Sequence, residues 1–257
     1  MTHFIFHFNS ITIFLLIIVA ASSGLIDTLA GGGGLITVSA LMMMGLPPVL
    51  ALGTGKFQSC FGMLNATIHF IRNKKINFKI ILPGLFFAAC GSIAGTCMIQ
   101  MINNETAEKI IPWLLIIIVA YTYFSPNFIE EKSNQKISNA LFYIMFGFCI
   151  GFYNGFLGPG TGALWVFVFM FFMGFNLVSA SIYSKPLNMI GSFVSLIIFL
   201  FAHEVIYMIG IIMVAGQLIG SQIGAHLVLK KGIKFLRPVY LFVITAMTVL
   251  LFLKIYY

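Results

Sequence analysis

Charged residues are scarce in this sequence, since Asp, Glu, Lys and Arg together make up only 8% of its 257 residues. Soluble domains carry about a quarter of their residues as charged side chains, so the composition excludes a soluble fold. Hydrophobic residues amount to 60% and the mean hydropathy is +1.07, which is more apolar surface than one core can bury. The composition therefore predicts an all-α protein that crosses a lipid bilayer several times.

Acidic residues are particularly few, with six Asp and Glu against fourteen Lys and Arg. Many of the basic residues form two short patches, at 72–79 and 230–237, and each patch lies between long apolar runs. This pattern is typical of cytoplasmic loops under the positive-inside rule, whereas nucleic-acid-binding proteins present a basic face on a polar domain. We therefore expect an integral protein of the bacterial plasma (inner) membrane, with both patches cytoplasmic and no nucleic-acid partner.

The sequence also lacks the signatures of a metal, a cofactor or a disulfide framework. Its four cysteines form no CxxC pair and lie in apolar runs, which favours packing; they are Cys60, Cys90, Cys97 and Cys149. It has no HExxH motif and no nucleotide-binding motif, so we expect no metal and no cofactor. Residues 1–10 contain no Lys or Arg, unlike a cleaved signal peptide, so the first apolar segment is expected to remain as a membrane helix.

Ten apolar segments can be marked, and a polar linker at 126–139 divides them into two groups of five. The first group lies within 1–125, at 11–29, 35–46, 51–71, 80–102 and 110–124. The second group lies within 140–257, at 140–157, 163–175, 180–202, 205–229 and 236–256. The second segment of each group is short for a spanning helix, which takes about 20 residues. We therefore expect about 8 to 10 membrane segments, because these two can either cross or re-enter.

The two groups repeat the same residue types at the same spacing. Near the start of each group, Gly24, Asp27, Gly31 and Gly33 match Gly151, Asn154, Gly158 and Gly160. Further along, Gly45, Ala51, Lys56 and Gly62 match Gly174, Ala180, Lys185 and Gly191. An internal duplication is the best account of this pattern. Five segments per half bring both basic patches and the linker to the cytoplasm if the second half is inverted, which is a transporter architecture.

Each half contains a glycine block that cannot form an ordinary helix interior. Glycine costs about 1 kcal/mol relative to alanine in a helix, and Pro159 also removes a hydrogen-bond donor. Broken helices expose backbone N–H groups that bind anions, and short interrupted segments in matching positions indicate a transporter's site. The candidate substrate-binding residues of the blocks are Gly31, Gly32, Gly33, Gly34, Gly158, Gly160, Thr161 and Gly162. The alternative is that these glycines serve close helix packing.

Two lysines, Lys56 and Lys185, lie at matching positions inside apolar segments. A charge there costs about 3 kcal/mol and marks a functional site by default, although a lysine near a segment start can also reach the interface by snorkelling. If the halves are inverted, both lysines approach one site. We predict that they form an anion-binding cradle with polar neighbours on the same segments, namely Thr54, Gln58, Ser184 and Asn188.

Asp27 is the one carboxylate inside an apolar segment, and its counterpart in the second half is Asn154. Burial can raise the pKa of a carboxyl group, so Asp27 is a candidate for carrying a coupling proton. A structural salt bridge with Lys56 is the equal alternative. We therefore place Asp27 and Asn154 together as the coupling candidates, and leave open whether the coupling ion is a proton or sodium.

The glycine blocks and lysines resemble those of the sulfite exporter TauE/SafE family of membrane transporters. The resembling stretches are GLIDTLAGGGGLITVSALMMMGLPPVLALGTGK at 24–56, GFYNGFLGPGTGALW at 151–165, GFNLVSASIYSKPLN at 174–188 and QLIGSQIGAHLVLKKG at 217–232. The resemblance implies transport of a small, often sulfur-containing anion such as sulfite or an organosulfonate. Asn154 stands where the second block of that family commonly has aspartate.

The leading hypothesis is thus a secondary transporter of a small anion, working by alternating access with a midplane site between the repeats. Two other classes of protein stay open at this point. An intramembrane enzyme would need a nucleophile with its base, or two aspartates, and only Asp27 lies in a membrane segment. A structural or assembly protein would place Lys56 and Lys185 far apart, facing loops or lipid headgroups.

Overall fold

The computed structural model describes residues 9–102 and 135–256, so the predicted segment 110–124 and most of the linker 126–139 lie outside the described residues. Within them the regular elements are all helical, which confirms the all-α prediction. The helices are α1 Ser10–Ala30, α2 Gly33–Met43, α3 Pro48–Arg72, α4 Phe78–Met101, α5 Asn139–Phe156, α6 Thr161–Met173, α7 Leu177–Phe201 and α8 Tyr207–Tyr256. Helix α5 contains a π-helical turn at Tyr143–Gly147.

Five of the described helices are long and apolar enough to cross a membrane, namely α1, α4, α5, α7 and the Tyr207–Lys231 part of α8. Large apolar side chains are exposed along them, including Phe86 on α4 and Phe193 on α7. Such surfaces are stable when hydrocarbon replaces water as the solvent. The protein is therefore a polytopic helical membrane protein.

The two short helices α2 and α6 each fold back along the helix that precedes them. They have 11 and 13 residues, and at 1.5 Å per residue they reach about 16–20 Å, less than the hydrocarbon thickness of about 30 Å. Thr37 on α2 donates a hydrogen bond to Ser23 on α1 at 2.8 Å. The backbone N–H of Lys136, just before α5, donates to the carbonyl oxygen of Phe172 at the end of α6 at 2.9 Å. Both short segments therefore form the second arm of a helical hairpin.

The basic stretch 230–237 is helical, although the sequence predicted a loop there between segments 205–229 and 236–256. Helix α8 runs without interruption from Tyr207 to Tyr256. The physical reason is that Lys, Leu and Arg are good helix formers, and the single Gly232 costs only about 1 kcal/mol. A cluster of basic residues indicates where a chain reaches the membrane surface, but it does not indicate that a helix ends there.

Small residues mediate the packing between the first helix of each half and the last described helix of the other half. On α8, Gly216 packs against Ile17 of α1, and two turns later Gly224 packs against Thr28. The residue numbers of the contacting positions increase along both helices, so α1 and α8 are parallel. The spacing Gly216-x₃-Gly220-x₃-Gly224 is the small-residue pattern that lets membrane helices approach closely.

Helices α4 and α5 make the equivalent parallel contact. Gly84 of α4 packs against Tyr143 of α5, and Gly95 packs against Phe152. Glycines of α5 occupy the facing side at the same four-residue spacing, at positions 147, 151 and 155. The first helix of each half is therefore packed by the fourth helix of the other half.

The remaining contacts fix the other helix directions. Gly53 of α3 lies beside Glu204, just before α8, and His69 of α3 lies beside His226 of α8, so α3 is parallel to α8. Gly53 also approaches Phe199 of α7, whereas Met63 accepts a weak hydrogen bond from Asn188, so α3 and α7 are antiparallel.

Thr96 of α4 donates to Ser195 of α7, and Gly84 approaches Leu187, so α4 and α7 are parallel. In the described part of the chain, α1, α3 and α8 thus run one way and α4, α5 and α7 run the other way. Because α3 and α8 are parallel, the basic residues that follow α3 lie at the same end of the molecule as Lys230 and Lys231, which end the apolar Tyr207–Lys231 part of α8.

Candidate substrate site

The glycine blocks end two helices, because several of these glycines adopt a left-handed backbone conformation. Helix α1 ends at Ala30, and Gly31 adopts φ +81°, from which its N–H donates to the carbonyl oxygens of Ile26 and Asp27. After α5, Gly158 and Gly160 adopt φ +86° and +82°. Residues with a Cβ rarely adopt this left-handed region, so the sequence dictates where both helices end.

The two breaks meet each other inside the protein. A Cβ added to Gly31 would lie 2.5 Å from the Cα of Gly162, and a Cβ on Gly162 would lie 2.5 Å from the Cα of Gly31. A Cβ on Gly34 would lie 3.2 Å from the Cα of Pro159. At Gly31 and Gly162 the glycines therefore serve the close backbone packing that was the alternative to a binding role.

Lys56 reaches the second break from the first half of the chain. It lies eight residues after Pro48, the first residue of α3, and its side chain is 5% exposed. Its Nζ atom donates to the main-chain carbonyl oxygen of Asn154 and to the side-chain Oδ1 of the same residue, each at 2.5 Å. The ammonium group thus points into the protein, which excludes snorkelling to the membrane surface.

Lys185 makes the corresponding contact in the opposite sense. It lies eight residues after Leu177, the first residue of α7, and is fully buried. Its Nζ atom donates to the main-chain carbonyl oxygen of Asp27 at 2.8 Å. Each lysine therefore holds the end of the broken helix in the other half, where the helix dipole carries partial negative charge.

Asp27 lies between the two lysines and is 4% exposed. Its carboxylate faces the backbone N–H of Gly33 at the start of α2 and lies in the electrostatic field of both lysines. In the matching position, Asn154 donates from Nδ2 to Oδ1 of Asn188 at 3.1 Å.

A cavity of about 30 Å³ lies where these groups meet, with room for about two water-sized groups. Six of the residues around it were predicted from the sequence: Asp27, Gly34, Lys56, Asn154, Gly158 and Asn188. Seven others complete the lining: Val38, Leu52, Gly55, Ser59, Leu157, Pro159 and Ser192. Both halves of the chain contribute, so the cavity lies at the boundary between them.

One lining residue that the sequence analysis missed, Ser59, could have been found from the internal repeat. Ser59 follows Lys56 by three residues, as Asn188 follows Lys185, so the repeat could have identified Ser59 as the partner of a predicted residue. Ser192 lies one helical turn after Asn188 on the same face of α7. The apolar residues of the lining carry no such signal, because they look like ordinary core positions.

Several predicted residues lie away from this cavity. Thr54 accepts a hydrogen bond from the backbone N–H of Ile206 at 3.0 Å, and Gln58 donates to the hydroxyl of Thr37. Both lie two residues from Lys56, which places them about 200° around the helix from it. Ser184 donates to the carbonyl oxygen of Ser181 in its own helix at 2.7 Å.

The other predicted residues outside the lining shape the two breaks. Thr161 donates from its hydroxyl to the carbonyl oxygen of Gly158 at 2.5 Å and so closes the turn before α6. Gly32 and Gly33 form the start of α2, and Gly160 forms the start of α6. Lys185 lies behind Asp27 as seen from the cavity, bound to the Asp27 carbonyl.

Comparison with known proteins places this architecture among transporters. The sequence model of the family described as "Sulfite exporter TauE/SafE" matches residues 16–251. The "Probable membrane transporter protein" of Haemophilus influenzae is 36% identical over 204 residues, which cover 79% of this chain and 80% of that protein. No solved structure matches the chain significantly.

Two further relatives agree. The "Probable membrane transporter protein YfcA" of Escherichia coli K12 is 35% identical over 214 residues, covering 83% of this chain and 80% of that protein. The "Probable membrane transporter protein ORF9" of a Sinorhizobium species is 32% identical over 215 residues, covering 84% and 82%. The family match and these relatives both span most of the chain, as do the broken helices and matched lysines described above. The chain therefore belongs to the TauE/SafE family, and it is a membrane transporter rather than an enzyme.

Proposed function

We propose that the protein is a secondary transporter of a small anion of the sulfite or organosulfonate type. The observation that carries this proposal is the pair of buried lysines, Lys56 and Lys185, held at two helix breaks beside a cavity. Two lysines and one carboxylate are buried together, so the cavity is electropositive. The sulfur-containing class of substrate is inferred from the name of the family.

The direction of the helices supports an inverted repeat. Helices α1, α3 and α4 of the first half correspond to α5, α7 and α8 of the second, and each runs opposite to its counterpart. In such transporters the site lies near the midplane between the repeats. Residues 1–125 and 140–257 would then be the two repeats, joined by a cytoplasmic linker at 126–139.

The Lys56 ammonium group provides a direct way to bind an anion. It has three N–H donors, and Asn154 accepts two of them. The third donor and the hydroxyl groups of Ser59 and Ser192 would hydrogen-bond to an anion in the cavity. An anion that also competed with Asn154 for Lys56 would loosen the contact between α3 and α5, and so couple binding to a change of access.

A structural or assembly protein is a poorer account of the same residues. That alternative requires Lys56 and Lys185 to face loops or headgroups, whereas both are buried beside the helix breaks. Burying two ammonium groups is costly, and an uncharged donor could make the same structural contacts to the carbonyl oxygens of Asn154 and Asp27.

The test is transport by the purified protein in liposomes, using radiolabelled sulfite and methanesulfonate. We expect saturable uptake by the unaltered protein and a loss of at least tenfold in Lys56→Met and Lys185→Met. Lys79→Met, at an exposed position before the apolar part of α4, is the matched control and should keep its rate. Transport at the unaltered rate by both buried-lysine variants would contradict the proposal. Imposed proton and sodium gradients in the same vesicles identify the coupling ion.

A further inference from the structure

We infer that Asp27 sets the valence of the transported anion, so that the site accepts one negative charge. This inference rests on the proposed function, since it concerns the same cavity. Among the described residues, the charged side chains that are buried are Asp27, Lys56 and Lys185. All three lie at the two helix breaks, and Asp27 and Lys56 line the cavity itself.

The charge of this cluster follows from its members. Two ammonium groups against one carboxylate leave one uncompensated positive charge in a buried site. An isolated charge is expensive in such surroundings, and pairing removes most of that cost. One monovalent anion makes the cluster neutral, whereas a divalent anion leaves a net negative charge.

In the part of the chain that the structure describes, no other buried charged side chain alters this count. The stretch 216–224 of α8, which packs on α1, contains no ionisable residue. Helix α2 presents the Gly33 backbone N–H to Asp27, and α5 presents the uncharged Asn154. The balance among Asp27, Lys56 and Lys185 therefore decides the charge that the cavity can hold.

The charge balance explains why the two halves differ at one matching position. Asn154 occupies the position that matches Asp27, and both residues line the cavity. A carboxylate at both positions would neutralise both lysines, so an anion could enter such a site only together with a compensating proton or cation. The amide at 154 still accepts from Lys56 and so keeps the structural contact without the charge.

The experiment compares methanesulfonate with sulfate, two anions of similar shape that carry one and two charges throughout pH 6–8. Binding to the purified protein in detergent is measured as the ligand-induced rise in Tm, and inhibition of transport is measured in liposomes. We expect the unaltered protein to prefer methanesulfonate at least tenfold. Asp27→Asn should shift the preference towards sulfate by at least tenfold, and Asp27→Glu should keep the original preference.

The outcomes separate this inference from the proposed function. Asn154→Asp should weaken the binding of both anions, and gel filtration establishes that each variant is monodisperse before binding is compared. If the unaltered protein binds and transports anions but Asp27→Asn keeps the original preference, Asp27 does not set the valence and the proposed function stands. If the unaltered protein neither binds nor transports any anion tested, the proposed function itself fails.

Discussion

The Nζ atom of Lys56 lies 2.5 Å from the main-chain carbonyl oxygen of Asn154, so an ammonium group of one half closes a helix end of the other half. Lys185 and the carbonyl oxygen of Asp27 repeat this contact with the halves exchanged. Each lysine thus stabilises a helix end and also contributes positive charge to the site. Substitutions can separate the structural contribution from the electrostatic one.

Replacing Asn154 by aspartate should strengthen the structural contact and weaken the binding of an anion. The change gives Lys56 a charged acceptor, and hydrogen bonds to charged groups contribute about 1.5–3 kcal/mol against about 1 kcal/mol for neutral ones. We expect Asn154→Asp to raise Tm in detergent and to reduce transport at least tenfold. Asn154→Leu is the counterpart, because it leaves the ammonium without its side-chain acceptor and should lower Tm. A fall in Tm for Asn154→Asp would show that a charged acceptor does not strengthen the hydrogen bonds of Lys56, and would contradict the prediction.

The contact between the two breaks should be far less tolerant than other left-handed glycines. Gly31→Ala places a Cβ 2.5 Å from the Cα of Gly162, whereas a Cβ on Gly45, at φ +90°, meets no atom within 4 Å. Both substitutions carry the backbone cost of about 1–2 kcal/mol, so their difference measures the packing alone. We expect Gly45→Ala to fold and transport, and Gly31→Ala to lose monodisperse protein on gel filtration. Equal behaviour of the two variants would contradict the close approach of the breaks.

Gln217 offers a site where a substitution should stabilise the protein. It is fully buried against Gly62, and neither its Oε1 nor its Nε2 atom has a hydrogen-bond partner among the described residues. An unsatisfied buried polar group costs about 1–3 kcal/mol, and methionine has a similar shape without that cost. We expect Gln217→Met to raise Tm.

Gln58→Met is the comparison variant, because the Gln58 amide donates from Nε2 to Thr37 and only its Oε1 atom lacks a partner among the described residues. We expect Gln58→Met to raise Tm less than Gln217→Met does. If Gln217→Met lowers Tm instead, the Gln217 amide has a partner, such as a bound water molecule, that stabilises it.

The placement of both basic patches at one end can be tested by labelling in cells. Lys75 is exposed just after α3, and Lys230 is exposed near the end of the apolar Tyr207–Lys231 part of α8, which is parallel to α3. Ala202 is exposed at the opposite end, after α7. In a background without the native cysteines, we expect Lys75→Cys and Lys230→Cys to react with a membrane-impermeant maleimide only after the cells are opened. Ala202→Cys should react in intact cells. Reaction of Lys75→Cys and Lys230→Cys from different sides would overturn the shared end.

The sequence predicted the broken helices well because glycine and proline act locally. Gly31 and Gly158 must end a helix wherever the rest of the chain lies, and the matched spacing exposes the repeat without any knowledge of packing. The lengths of 35–46 and 163–175 likewise showed that both segments are short for a full span, but they left open whether the segments cross or re-enter. Hydrogen bonds such as that from Thr37 to Ser23 were needed to show that they fold back.

The partners of the lysines could not be predicted in the same way. A salt bridge from Lys56 to Asp27 was the natural expectation from charge alone, whereas the hydrogen bonds of Lys56 go to Asn154. Main-chain carbonyl oxygens carry no signal in a sequence, because every residue has one. The position of Lys185 behind Asp27, outside the cavity lining, depends on how α1 and α7 approach each other in space.

The exchange of helices between the halves has a consequence for how the chain is made. The small-residue face of α1 is covered by α8, at contacts such as Ile17 with Gly216. Helix α1 is synthesised before α8, so α1 lies in the bilayer without this partner until α8 emerges. If translation stops before residue 207, the small-residue face of α1 stays uncovered. We expect membrane quality-control proteases to degrade such a truncated chain.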